Sequence, residues 1–385
     1  MSRNTVGPAT TRYARVIMRT PIPLRGACLA IAVGLTLLGA EPALAGTAVG
    51  GDQLGSRATI VAPGAPALPP TIASGWLVAD LDTGAVLAAR NPHGRYAPAS
   101  TLKTLTAETL IPRLDARRAV RPSFDDVNVD GSRVGLVENV SYPVADLFRA
   151  MLVVSGNDAA NTLATANGGI AVTARQMNAE AQRLQARDTH AVNVNGLDAP
   201  GQFSSPYDLA LIARAAMADA AFRSYVATKH TTIRAPGGRS IALSSHDKLL
   251  YNYPGAIGIK NGYTVRARAS FVGAATRGGH TLLVVLMHTA PRYWPQARDL
   301  LNWGFAATRL RVPAVGQLVD PVDLSAAPVG VPPAGSVATV RTAVRQQTGT
   351  VDGPPLLAGS VVGAGVLAVL GGALRQRRRG RRRRS

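Results

Sequence analysis

Apolar and polar residues alternate over positions 74–89 around Asp82-Thr83-Gly84, a period of two broken by a turn, which predicts a β-hairpin. A second hairpin is predicted where 270–275 and 281–288 flank Arg277-Gly278-Gly279. Between these ends the apolar spacing becomes helical, over 102–110, 144–153 and 206–217, and an amphipathic helix is expected over 294–307. The start of the third is marked by Ser205 as cap, Pro206 in the first turn and Asp208 three residues after the cap. Strands at both ends with helices between them predict an α+β body over 72–310. Its antiparallel sheet would be flanked by helices and drawn from both ends of the segment, with a mostly helical region inserted between the strands.

The flanks differ in composition. Residues 46–71 and 311–355 are rich in Ala, Gly and Pro and read as extended, mobile linkers. Further out, Arg3, Arg12, Arg15, Arg19 and Arg25 precede an apolar run over 26–40, and Ala43-Leu44-Ala45 follows as a small-x-small site. This predicts an export signal peptide over 1–45. The competing reading is an uncleaved anchor, although the run is shorter than the roughly 20 residues a span needs. Residues 356–374 carry no charge and are long enough to cross a bilayer as a transmembrane helix. The arginine-rich tail over 375–385 would remain cytoplasmic and place the body outside the cell membrane. The single cysteine, Cys28, lies in the first apolar run, so a cleaved protein has no thiol chemistry.

A formal charge of +20 first suggests a nucleic-acid partner. Residues 1–45 and 375–385 hold +4 and +8 of it, however, leaving +8 over 46–374 without a dense stripe. No nucleic-acid partner is expected. The basic residues contain a sharper signal: only four of the 42 are lysines, Lys103, Lys229, Lys248 and Lys260. Arginine keeps its proton near neutral pH, whereas a buried lysine can release it. Two of these lysines stand in Ser100-Thr101-Leu102-Lys103 and Lys260-Asn261-Gly262, with Ser155-Gly156-Asn157 between them.

Serine is a poor nucleophile until a base takes its proton. On a helix, positions i and i+3 share a face, so Lys103 can reach Ser100. Lys103 is useful as a base only if its pKa is depressed, and burial and a second cation such as Lys260 would both depress it. A helix beginning after Ala97-Pro98-Ala99 would also bring N-terminal amides, which favour negative charge, to the nucleophile. Ser155 and Asn157 offer a hydroxyl for proton relay and an amide for a substrate, and Gly262 on a strand allows close backbone approach. Singly, these motifs read equally well as a solvated helix face, a turn and an exposed strand. In this order they point to serine acyl transfer.

The order Ser-x-x-Lys, Ser-x-Asn, Lys-x-Gly resembles the penicillin-recognising serine enzymes. The flanking residues narrow the resemblance. Tyr96-Ala97-Pro98-Ala99-Ser100-Thr101-Leu102-Lys103-Thr104, Val153-Val154-Ser155-Gly156-Asn157-Asp158-Ala159, Asn195-Gly196-Leu197-Asp198, Tyr253-Pro254-Gly255 and Gly262-Tyr263-Thr264 resemble the serine-type D-alanyl-D-alanine carboxypeptidases, which are low-molecular-mass penicillin-binding proteins. The likeness runs over about 72–308 and includes Leu300-Leu301-Asn302-Trp303-Gly304-Phe305.

This resemblance implies a β-lactamase/DD-peptidase-like fold, no cofactor and no metal. It implies a peptidoglycan stem peptide ending in D-Ala-D-Ala as substrate and β-lactams as covalent inhibitors. Ser100 would attack the penultimate D-Ala carbonyl, with Lys103 as general base. Ser155, helped by Lys260, would relay a proton to the leaving D-Ala, and Asn157 would orient the substrate amide. The N–H groups of Ser100 and Tyr263 would form the oxyanion hole, beside Asn261 and Gly262. Arg292, just before the last helix, is a candidate partner for the terminal carboxylate. One residue departs from the pattern: Asn261 stands where the family usually has threonine, whose hydroxyl helps bind that carboxylate.

Three other readings compete. A β-lactamase of the glutamate-dependent class needs a glutamate between the second and third motifs, and only Glu180, in a helical context, is there. A zinc peptidase needs ligand pairs, and His93, His190, His230, His246, His280 and His288 include none at helical spacing. A catalytically weak or inactive wall-peptide-binding protein is the reading that Asn261 favours.

Overall fold

The two predicted hairpins meet in one antiparallel sheet. The structure, a computed structural model, describes residues 48–324. The N-terminal side supplies β1 (Thr59–Val61), β2 (Gly75–Asp80) and β3 (Ala85–Arg90). The inserted region follows as α1 (Lys103–Leu110), β4 (Ala119–Val120), α2 (Phe124–Val127), β5 (Tyr142–Pro143), α3 (Val144–Val153), α4 (Asn157–Ala166), α5 (Ile170–Arg183), α6 (Pro206–Ala218), α7 (Ala220–Val226), β6 (His230–Arg234), β7 (Ser240–Ser244) and α8 (Lys248–Asn252). The chain then returns to the sheet as β8 (Ala256–Thr264), β9 (Arg268–Arg277) and β10 (His280–Thr289), and ends with α9 (Trp294–Arg309) and β11 (Gly316–Gln317). The strand order is β1-β3-β2-β10-β9-β8, with β11 also pairing β3; β4–β5 and β6–β7 form separate ribbons. The two ends of the body join where β2 runs against β10, with Val78 opposite Val284.

Both faces of this sheet are covered, and the period of two assigns each residue to a face. Leu77, Ala79, Leu283 and Val285 belong to the core shared with α1, α3 and α6, whereas Trp76, Val78, Val284 and Leu286 pack with Leu300 and Leu301 of α9. Every residue of β2 is therefore buried. The expected cap of α6 is present, with Ser205 Oγ accepting from Asp208 N at 3.1 Å. Among the described residues, no helix is long and apolar enough to cross a membrane. The expected signal over 1–45, the span over 356–374 and the tail over 375–385 lie outside the described residues.

The linker expectations need correcting. Residues 46–71 contribute β1, which pairs residues 88–90 of β3, and Leu54 is fully buried. Trp303 Nε1 of α9 also donates to Pro66 O at 2.9 Å. Within 311–355, β11 pairs Ala85 and Val86, Val315 and Leu318 are buried, and Val322 N donates to Arg183 O at 2.8 Å. The ordered body therefore exceeds 72–310 at both ends. The physical reason is that β3 has a free edge, and short Ala-, Gly- and Pro-rich segments pair against it.

Candidate active site

Ser100 is delivered by a strained turn. Ala99 adopts φ 49°, the left-handed region that a Cβ disfavours. A 3-10 turn over Ala99–Leu102 then leads into α1. Two hydroxyls hold the turn from opposite sides: Thr101 Oγ1 and Ser270 Oγ of β9 each donate to Pro98 O at 2.6 Å. Gly196 presses on it as well. Its φ is +84°, and a Cβ there would collide with the Ala99 carbonyl. Gly262 brings β8 just as close, because a Cβ on it would lie 2.5 Å from Ser100 N and 2.8 Å from Ser270 Oγ. Gly262→Ala is therefore expected to displace the nucleophile and lower the acylation rate at least tenfold, read as the rate of a covalent β-lactam adduct by mass spectrometry. An unchanged rate would show that β8 is not held against Ser100.

Lys103 opens α1 and is fully buried. Its Nζ lies 2.9 Å from Ser100 Oγ and 2.7 Å from Asn157 Oδ1, and also bonds Asn195 O. Burial pushes its pKa well below the usual lysine value, the Lys260 charge pushes it further, and Asp158 opposes both. These partners suit a neutral amine. Asn157 Oδ1 and Asn195 O are acceptors only and use its two N–H donors, which leaves the nitrogen lone pair for the Ser100 hydroxyl.

The turn between α3 and α4 supplies the second motif. Ser155 has φ 63° and is 5% exposed, and its hydroxyl has no hydrogen bond among the described residues. Asn157 was expected to orient a substrate; its Oδ1 accepts from Lys103, and Nδ2 donates one of its two N–H groups to Asp130 O at 2.6 Å, so the second N–H is not used by these bonds. In this arrangement it holds the lysine. Its backbone N–H donates to Ser132 O at 2.7 Å, and Val134, Gly135 and Leu136 N–H groups donate to the Asp158 carboxylate. Loop 130–136 thus becomes one wall of the site.

β8 is the outer strand of the sheet, so one of its edges is unpaired beside the 3-10 turn. Lys260 on it is buried and donates to Asn261 O at 2.7 Å. Burial pushes its pKa down to about 7, against the raising effect of Asp247. Asn261 is half-buried, and burial pushes the nearby Tyr293 hydroxyl's pKa upward. Tyr263 is largely exposed. Arg292 is exposed and makes no hydrogen bond or ion pair among the described residues, and its neighbour Tyr293 is buried. Glu180 is occupied by Arg183 at 2.6 Å in α5.

The sequence reading gave no role to Asn195, Asp130, Ser270, Asp247 or Tyr293. Asn195 and Asp130 act through main-chain carbonyls, for which side-chain identity carries no signal. His93, Asp188 and Asp208, far apart in sequence, also come within 4.8 Å of one another. His93 Nδ1 and Nε2 there face Asp188 Oδ2 and Val49 O, fastening the N-terminal segment.

A model of the peptidase S11 family, described as D-alanyl-D-alanine carboxypeptidase, matches residues 63–290. The chain belongs to this family. It is 43% identical over 246 residues to D-alanyl-D-alanine carboxypeptidase DacB2 of Mycobacterium tuberculosis, which spans 62% of this chain and 84% of that one. With DacD of Escherichia coli, identity is 33% over 253 residues, 61% of this chain and 64% of DacD, so the match covers less than two thirds of that longer relative. Among solved structures, a D-alanyl-D-alanine carboxypeptidase from M. tuberculosis superposes with a TM-score of 0.63 at 40% identity, covering 68% of this chain and all of that one. The Streptomyces K15 DD-transpeptidase gives 0.60 at 28%, over 63% and 100%. The sheet with its inserted helical region is the fold of these DD-peptidases, and membership makes the protein a serine peptidase.

Proposed function

We propose that this protein removes the terminal D-Ala from peptidoglycan stem peptides through an acyl-enzyme on Ser100, and that β-lactams acylate the same oxygen. The observation that carries the reading is a buried, proton-poor Lys103 with its nitrogen 2.9 Å from Ser100 Oγ. Lys103 takes the hydroxyl proton as Oγ bonds to the penultimate D-Ala carbonyl carbon. The N–H groups of Ser100 and Tyr263 receive the negative charge on the carbonyl oxygen. Lys103, Ser155 and Lys260 pass a proton to the departing D-Ala nitrogen, and water then releases the shortened peptide. The open edge of β8 suits an extended peptide, and Lys260 and Asn261 supply a cation and an amide donor for its carboxylate. Asn261 thus replaces the usual threonine hydroxyl with an amide donor.

The test is D-alanine release from a diacyl-L-Lys-D-Ala-D-Ala peptide, with Ser100→Ala beside the unaltered protein. Release by the unaltered protein alone is expected. Folded protein that binds the peptide but releases nothing would favour a wall-peptide-binding role. Residues 1–45 are read as the export signal and 356–374 as the membrane anchor. A chain ending at 355 should therefore leave the membrane fraction, and its retention would refute the anchor.

A further inference from the structure

Asp247 is a buried ionisable group to which the proposed reaction assigns no task. It caps α8, with Oδ1 accepting from Leu249 N at 2.8 Å. A cap alone does not require a charge, since asparagine or serine caps as well. The other oxygen, Oδ2, is buried without a hydrogen-bond partner, and the residue is only 4% exposed. Such an oxygen is costly in the interior unless a charge compensates it.

The loop that carries Asp247 is fastened to the active site: His246 N donates to Val153 O at 3.1 Å, just before Ser155, and α8 packs on β8. The cation on β8 is Lys260. With α8 packed on β8, Asp247 and Lys260 are both buried and act on each other through the interior, where charges interact more strongly than in water. We propose that Asp247 is a positioning residue of the catalytic centre, the buried counter-charge that keeps Lys260 a cation. Through Lys260 it also keeps Lys103 free of its proton.

The surrounding charges agree in sign. His246 and Lys248 stand on the same loop and helix; burial lowers the His246 pKa, and Lys260 and Lys248 lower it further. Lys103 faces Lys260 from α1. The Tyr293 hydroxyl faces Asp247 from the segment before α9, and on α9 Arg298 is paired with Asp299. Asp247 is the negative group acting on Lys260; burial raises its own carboxyl to about 6, and Lys260 opposes that rise. Removing the negative charge lets the Lys260 ammonium lose its proton at lower pH. Lys103 then loses its neighbouring cation and holds its own proton to higher pH. Both changes narrow the range in which one lysine is neutral and the other charged.

The chain has four lysines, so a 13Cε-lysine NMR spectrum of the full chain in detergent contains four side chains, and Lys229→Arg and Lys248→Arg remove two of them. In Asp247→Asn, and in Asp247→Ser, the Lys260 midpoint is expected to fall by about one pH unit or more, while Lys229 and Lys248 stay in place. The alkaline limb of β-lactam acylation should move with it. An unchanged Lys260 midpoint in either folded variant overturns the proposal. If neither variant folds, the unaltered protein decides: its Lys260 titration should depart from a single one-proton curve, with an added step near pH 6 as Asp247 titrates, and a simple one-proton curve overturns it. The inference rests on the acyl-transfer reading, but the titration needs no turnover. Loss of the enzymatic reading and loss of this one are therefore separate results.

Discussion

Exchanging Lys103 for arginine is expected to slow acylation of Ser100 by about 10³-fold or more, as much as exchanging it for methionine, because general-base contributions span about 10²–10⁴. The two variants separate charge from proton acceptance. Arginine keeps a cation near Ser100 but cannot release its proton, and its planar fork does not reproduce a nitrogen with a free lone pair. In the structure that lone pair is what remains after Asn157 Oδ1 and Asn195 O have taken two N–H donors. A Lys103→Arg variant acylated at near the original rate would show that the position supplies charge only. The pH profile carries the same argument. Burial and Lys260 depress Lys103, so activity should rise with pH as Lys103 loses its proton. It should fall again as Lys260, pushed down to about 7, loses its own. Stopped-flow acylation by benzylpenicillin across pH 5–9 would record both limbs.

The parts of the molecule that were legible in the sequence are those whose physics is local. Alternation over 74–89 and a capped start at Ser205 depend on neighbours in the chain, and both elements formed as expected. The three motifs were legible for a related reason: Lys103 and Lys260 are exceptions in a chain that otherwise uses arginine. The strands β1 and β11 were missed because their pairing depends on a free edge of β3 rather than on their own composition. Asn195 escaped because its main-chain carbonyl does the work, and Asp247 because a lone aspartate in a loop looks like any other. Tyr293, buried beside the exposed Arg292, escaped because burial is not readable from a single aromatic residue in a loop. Asn261 itself read as a defect when seen alone. In the structure it is half-buried on β8, with an amide able to donate a hydrogen bond.

The larger effect on stability is expected at Asp158, the second residue of α4. It is fully buried, and its carboxylate accepts four backbone N–H groups. Val134 and Ala159 donate to Oδ1, both at 3.0 Å; Gly135 and Leu136 donate to Oδ2, at 2.9 and 3.1 Å. The charge also sits at the positive end of the helix. Asp158→Asn keeps the shape but turns an NH2 group toward two N–H donors, leaving them unpaired in the interior. A loss of about 3 kcal/mol or more is expected, since each buried unsatisfied group costs about 1–3 kcal/mol. It should appear as a lower urea midpoint at unchanged slope. The damage should spread to catalysis, because the same loop accepts from Asn157 at Asp130 O and Ser132 O. Asn157 is what holds Lys103, so acylation per folded molecule should fall as well. A variant that lost stability but kept its acylation rate would show that Asn157 is held without the loop. An unchanged urea midpoint would show that the loop is not held by Asp158.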